Sequence, residues 1–189
     1  MMNFKGLVDS VVDIADLRIG LNRSTVGDAV EFSLYSMTAY FMPLLISQQI
    51  FLGAAVNSML VCGALYVEGK KLIPLIVLPS IGVLSHGFLF GSLSVYLFYM
   101  LPIIWIGNAV FVFVIKAVYL KKKSHFVAGI ACASVLKCLF LFGSAFALCS
   151  FGVVPQMFLV AFGVVQFATA FSAGMIVWPV NYLRIRFFG

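Results

Sequence analysis

Beyond Glu68 the chain has no acidic residue. All six of its acids (Asp9, Asp13, Asp16, Asp28, Glu31 and Glu68) fall in the first 68 residues, so any buried base further along lacks a nearby carboxylate in sequence. Histidine is limited to His86 and His125, and the four cysteines (Cys62, Cys132, Cys138, Cys149) form neither a CxxC pair nor a cluster with histidine. That excludes the ligand spacing of a zinc or iron–sulfur centre, and buried, unreactive thiols are expected. There is no Ser/His/Asp set, no glycine-rich phosphate loop and no pair of acids inside an apolar run. The expectation is a protein that is not an enzyme, carries no cofactor and does not run on protons through an intramembrane carboxylate. Charged residues make up only 10% of the chain, against about a quarter in soluble domains. No cleavable leader is expected, because acids precede the first spanning-length apolar run, which begins near residue 29.

What the chain does have is apolar residues, 63% of 189, including 20 phenylalanines. Runs of about 20 apolar residues read as membrane helices. Six emerge, at 29–46, 48–67, 72–89, 93–119, 125–152 and 155–180. The N-terminal segment, the loops after the second and fourth runs and the C-terminal tail together hold ten Lys and Arg residues; the three opposite turns hold none. By the positive-inside rule, both termini are cytoplasmic in a cell-membrane protein. The net charge of +6 follows from bases near helix ends, which fits anionic lipid and not nucleic acid. Residues 4–19 place Phe4, Leu7, Val8, Val11, Val12, Ile14 and Ala15 on one face and Asp9, Asp13 and Asp16 on the other, with Arg18 interrupting the apolar face. This predicts a helix lying on the membrane surface. Asp28 and Glu31 have capping-box spacing for the first run.

The expected fold class is all-α: a bundle of six transmembrane helices with an N-terminal amphipathic surface helix. Residues 1–28 form the cytoplasmic N-terminal segment, 29–180 the membrane domain and 181–189 a basic tail. Pro74, Pro79 and Pro102 predict kinks in the third and fourth spans. Gly129 with Ala133, Gly143 with Ala147 and Ala170 with Gly174 predict close packing of the last two. His86 falls at the outer end of the third span, as a solvated or gating side chain.

One residue stands out. Lys137 lies 12 residues into the fifth run, about 18 Å from its end at 1.5 Å per residue. A lysine side chain reaches about 6 Å, so it does not escape to either surface. A central lysine costs roughly 2.5–3.5 kcal/mol on insertion scales. The polar residues at matching depth are Asn57, Asn108 and Gln166, with Thr169 a turn beyond Gln166, and Ser134 and Ser144 on the lysine's own face. The expected candidate site is therefore a mid-membrane polar layer of Lys137, Asn108, Gln166, Asn57, Thr169 and Ser134, with one cation and no protein counter-ion. It suits a small anionic or zwitterionic ligand. The competing readings are that these groups only lock helices together, and that burial depresses the lysine's pKa and leaves it neutral.

The segments QQIFLGAAVNSML (48–60), PLIVLPSIGVLSHGF (74–88), LPIIWIGNAVFVF (101–113), ASVLKCLFLFGS (133–144) and VVQFATAFSAGMI (164–176) are similar to a group of small bacterial six-span membrane proteins. That group in turn resembles the substrate-binding S components of energy-coupling factor (ECF) transporters. The resemblance covers roughly residues 40–180. It implies capture of a vitamin, a vitamin precursor or a metal ion from outside, and partnership with a membrane scaffold subunit and a pair of ATPases. It also implies a ligand site among the fourth to sixth spans, where Asn108, Lys137 and Gln166 fall. Two features differ from the family pattern: Ser33, Ser36 and Ala39 are the nearest match to its small-residue scaffold motif, and the first outer loop is only a few residues around Gln48. Some members of the group carry the label "iron hydrogenase", which the scattered cysteines do not support. The functional expectation is an S-component-like importer subunit. The alternatives are a non-transporting membrane anchor or assembly subunit, and a channel- or flippase-like protein.

Overall fold

An apolar run in lipid must satisfy its backbone polar groups within itself, and the α-helix does so. The computed structural model describes residues 4–19, 25–46, 48–87 and 94–188, and among these every regular element is helical. A short α1 (Phe4–Ala15) precedes α2 (Thr25–Leu45), α3 (Gln49–Tyr66) and α4 (Leu72–His86). α5 (Ser94–Ile115) then runs into a π-helical turn at Lys116–Lys121, followed by α6 (Phe126–Ser150), α7 (Met157–Phe162) and α8 (Val164–Phe188). The residues at 88–93, where the third and fourth predicted spans meet, lie outside the described residues, as does the His86 side chain. The expected tail at 181–189 continues α8 as helix to Phe188.

Among the described residues four helices are long and apolar enough to cross a membrane: Gln49–Tyr66, Val95–Lys121, Phe126–Ser150 and Met157–Phe187. The other two expected spans fall short for different reasons. α2 dilutes its apolar residues with Asp28, Glu31, Ser33, Ser36 and Thr38. α4 has 15 residues, about 22 Å of helix against a hydrocarbon core of about 30 Å.

α3 sits centrally and touches α2, α4, α5 and α8; α6 packs against α5, α7 and α8. Ala133 and Ala170 are fully buried, and a Cβ on Gly174 would come within 2.3 Å of the Ile130 side chain. Gly143 corrects the sequence reading. A Cβ there would meet nothing within 4 Å, and Ala147 is exposed, so this pair belongs to the outer face and not to the helix contact. Gly174→Ala is accordingly expected to lower stability by about 1–3 kcal/mol through overpacking, whereas Gly143→Ala is neutral or slightly stabilising. Thermal unfolding of the two variants in detergent checks the contrast. Pro74 is a second correction. It occupies the first turn of α4, where a missing N–H goes unused, while Pro79 and Pro102 lie inside their helices.

The basic residues gather at one end of the bundle, called here the basic end. Arg18 bridges Asp28 at 2.8 Å and Glu68 at 2.9 Å. Its guanidinium is held above its ordinary pKa, first by the hydrogen bond to Asp28. Arg184 pairs with Glu31 at 2.7 Å, donates to the Tyr35 hydroxyl at 3.0 Å and lies 3.9 Å over the Tyr66 ring. The Tyr66 hydroxyl donates to Asn181 Oδ1 at 2.8 Å. Two expectations change here. α2 begins at Thr25, so Asp28 lies inside its first turn instead of capping it. Arg18 lies beyond the end of α1 and turns to the bundle, leaving the apolar face of α1 uninterrupted. On that face Val8, Val11 and Val12 are exposed while Ala15 packs on the core, as does Ile19 beyond the helix end.

The chain after α1 is tied down by its backbone. The Ile19 N–H donates to the Leu65 carbonyl at 2.7 Å. Lys116, fully buried, donates its ammonium to the carbonyls of Leu17 and Val67, the latter at 2.8 Å.

Candidate functional site: a cavity around Lys137

α6 carries Lys137 into the bundle between α3, α5 and α8. The side chain is 1% exposed. Its ammonium donates to Asn57 Oδ1 on α3 at 2.6 Å. Asn57 Nδ2 donates to Thr169 Oγ1 on α8 at 3.2 Å, and the Thr169 hydroxyl donates to the Gln166 carbonyl, also at 3.2 Å. Donors therefore run in one direction, from the lysine to the backbone of α8. The ammonium also sits 5.0 Å from the centre of the Phe111 ring, within cation–π range.

These contacts do not complete the ammonium's coordination. It has three N–H groups, and one goes to Asn57; the other two have no protein acceptor among the described residues. No carboxylate approaches it. Asp28, Glu31 and Glu68 are engaged with arginines at the basic end, and Asp9, Asp13 and Asp16 are exposed in the N-terminal segment. Removing an ammonium from water costs several kcal/mol unless a partner offsets it. One amide oxygen and one ring face offset only part of that.

Beside the ammonium is a cavity of about 130 Å³. It reaches from Gln49, at the start of α3 and away from the basic end, down to Asn57, Asn108, Lys137, Gln166 and Thr169. The small α3 surface needed here comes from Gly53, where a Cβ would press on the Thr169 side chain at 3.1–3.3 Å. Asn108 Nδ2 donates to the Ile76 carbonyl of α4 at 3.0 Å, and Trp105 donates to Ser80 Oγ at 2.7 Å. Both bonds grip α4 beside Pro79, where the missing N–H interrupts the helical ladder. Asn108 thus braces one wall, and its Oδ1 has no partner among the described residues. Gln166 is half-buried, and its side-chain amide has no partner among them either.

Five of the six sequence-predicted site residues, Lys137, Asn57, Asn108, Gln166 and Thr169, line this one cavity. Ser134 does not. It is fully buried one turn nearer the basic end, and its hydroxyl lacks a partner among the described residues. Ser144 bonds back to the Phe140 carbonyl of its own helix at 2.8 Å. Gln49 and Ser80 line the cavity and were not anticipated. The signal for Ser80 was its place directly after Pro79, and for Gln49 a polar residue opening an apolar helix. No group of three His, Cys, Asp or Glu side chains able to hold a metal ion occurs among the described residues.

The fold and the site together point to a helical membrane protein with a cavity beside a buried lysine among its apolar helices. In comparisons with protein-family models, curated proteins and solved structures, nothing matches this chain.

Proposed function

We propose that the protein is a ligand-capturing membrane subunit of the S-component kind, which binds a small anionic solute from outside the cell membrane for an ECF-type importer. The observation that carries this reading is the Lys137 ammonium: buried, beside a cavity, with two N–H groups unmatched among the described residues and no acid near it. A lysine that served only to join helices would be expected to spend its donors on protein acceptors, as Lys116 does on two carbonyls.

In this reading the basic end faces the cytoplasm, both termini lie there, and the cavity opens toward the outside. Six crossings are supported by the way α2, α3, α4, α5, α6 and α8 alternate between the two ends, with α2 and α4 sheltered by their mutual contact. α1 lies along the inner membrane surface, supported by its exposed Val8, Val11 and Val12. Uptake then calls for a scaffold subunit and an ATPase pair, because the two carboxylates on the crossing helices, Asp28 and Glu31 of α2, are paired with Arg18 and Arg184 at the basic end and not placed at mid-membrane for proton coupling. Purification of the tagged chain from its native membrane in mild detergent tests this. The expected result is co-elution of a second membrane subunit and two ATP-hydrolysing proteins in stoichiometric amounts. Elution alone, or with a redox enzyme, contradicts it and favours the anchor reading.

A further inference from the structure

We infer that the cavity takes a small monocarboxylate with an apolar body, bound with its carboxylate inward at Lys137. The inference rests on the reading of the cavity as a ligand site and goes on to name the chemical class.

Charge sets the first limit. One ammonium faces the cavity, and among the described residues no second base and no acid line it. A dianion, such as a phosphate monoester at neutral pH, would leave about one charge uncompensated away from water. A zwitterion would bring an ammonium of its own to walls that hold no carboxylate. A monoanion balances the site.

Donor placement sets the second. Among the described residues two Lys137 N–H groups and the Gln166 side-chain amide have no partner, and both side chains line the cavity. Two oxygens on one carbon can divide these donors between them. A free inorganic oxyanion would turn its remaining oxygens toward hydrocarbon, where each lacks a donor.

The walls set the third. From the polar floor toward Gln49 the lining includes Leu52, Val56, Val83, Leu97, Leu141 and Phe162. These residues favour an apolar body; Ser80, which also lines the cavity, has its hydroxyl engaged with Val77 and Trp105, and the Asn108 amide oxygen leaves room for at most one uncharged donor on the ligand. The volume, about 130 Å³, is close to that of an engineered cavity of about 150 Å³ that admits benzene. The body is therefore about one ring or a short alkyl chain.

The test uses the full chain purified in detergent, with benzoate and butyrate as probes and benzamide, benzylamine and inorganic phosphate as comparisons. A ligand that binds only the folded state raises the unfolding temperature in a saturable way. The expected result is saturable stabilisation by benzoate or butyrate, at least tenfold tighter than by any comparison compound, and its loss in Lys137→Met. Leu52→Trp, which adds bulk to an apolar wall of the cavity and leaves Lys137 in place, should weaken the carboxylate to a similar extent; this arm remains informative if Lys137→Met does not fold. If benzamide or phosphate binds as tightly as benzoate, and Leu52→Trp weakens it, the monocarboxylate class is overturned while the cavity stands as a ligand site. If no probe stabilises the wild-type chain, the class is overturned. If in addition Leu52→Trp raises the unfolding temperature as a filler of dead space would, the ligand-site reading falls with it.

Discussion

Lys116→Met is expected to lower stability by about 2–4 kcal/mol and to free the N-terminal segment. The ammonium of Lys116 satisfies two carbonyls, the buried one of Val67 and the part-buried one of Leu17, and an orphaned buried acceptor costs about 1–3 kcal/mol. Removal of the charge itself returns part of this, which keeps the total below the sum of two full penalties. The loss is local before it is global. The Leu17 carbonyl belongs to the strap that joins α1 to the bundle, and the Ile19 N–H to Leu65 bond beside it is the next to open. The neighbouring Arg18 bridge to Asp28 and Glu68 is partly exposed, so it contributes too little to hold the strap alone. Limited proteolysis checks this: cleavage between α1 and α2 should accelerate well before the helical circular dichroism of the bundle is lost. A variant as resistant as wild type would show that the Lys116 contacts are incidental.

Lys137→Met should give the opposite pattern. Stability is expected to stay within about 1 kcal/mol of wild type, because relief from a desolvated ammonium opposes the loss of Asn57's hydrogen-bond donor. Ligand affinity should fall about a hundredfold, within the 2–5 kcal/mol typical of truncating one partner in a buried charge pair. The double variant Lys137→Met/Asn57→Leu is expected to be more stable than either wild type or the single variant, by about 1–3 kcal/mol. It removes donor and acceptor together, and the Thr169 hydroxyl keeps its own bond to the Gln166 carbonyl. Chemical unfolding and ligand titration on the three proteins separate a charge kept for a ligand from one kept for packing. If the double variant is the least stable protein, the lysine is structural.

The contrast between the two lysines also shows what a sequence can and cannot convey. Depth along a helix is readable, since each residue advances a fixed distance. Lys137, Asn57, Asn108 and Gln166 could therefore be placed in one layer from their positions alone. Direction around the helix axis is harder to read in nearly uniform apolar helices, where polar residues are few and the pattern has no strong face. Ser134 was placed with Lys137 by its spacing of three, yet it does not line the cavity, and the outward orientation of Gly143 was equally hidden. Lys116 sits one turn from the Lys121–Lys123 cluster, and a base at the end of an apolar run normally reaches for water. Nothing local indicated that the chain after α1 would fold back over it and bury it. Long-range ion pairs such as Arg184 with Glu31 are invisible for the same reason: 153 residues separate partners that only the packed bundle brings together. The helical class itself came through because apolar runs and lipid allow few other backbones. α2 and α4 were less legible, since crossing a membrane depends on what shelters a short or polar helix as well as on its composition.

The most direct measurement is made on the lysine nitrogen itself. With ¹⁵N-labelled lysine side chains in lipid nanodiscs, the Nζ resonance of Lys137 is the one absent from the Lys137→Met spectrum. On titration with benzoate it is predicted to move saturably while the other lysine resonances stay in place. A Lys137 resonance that stays fixed throughout the titration would contradict the claim that this ammonium is kept for a ligand's negative charge.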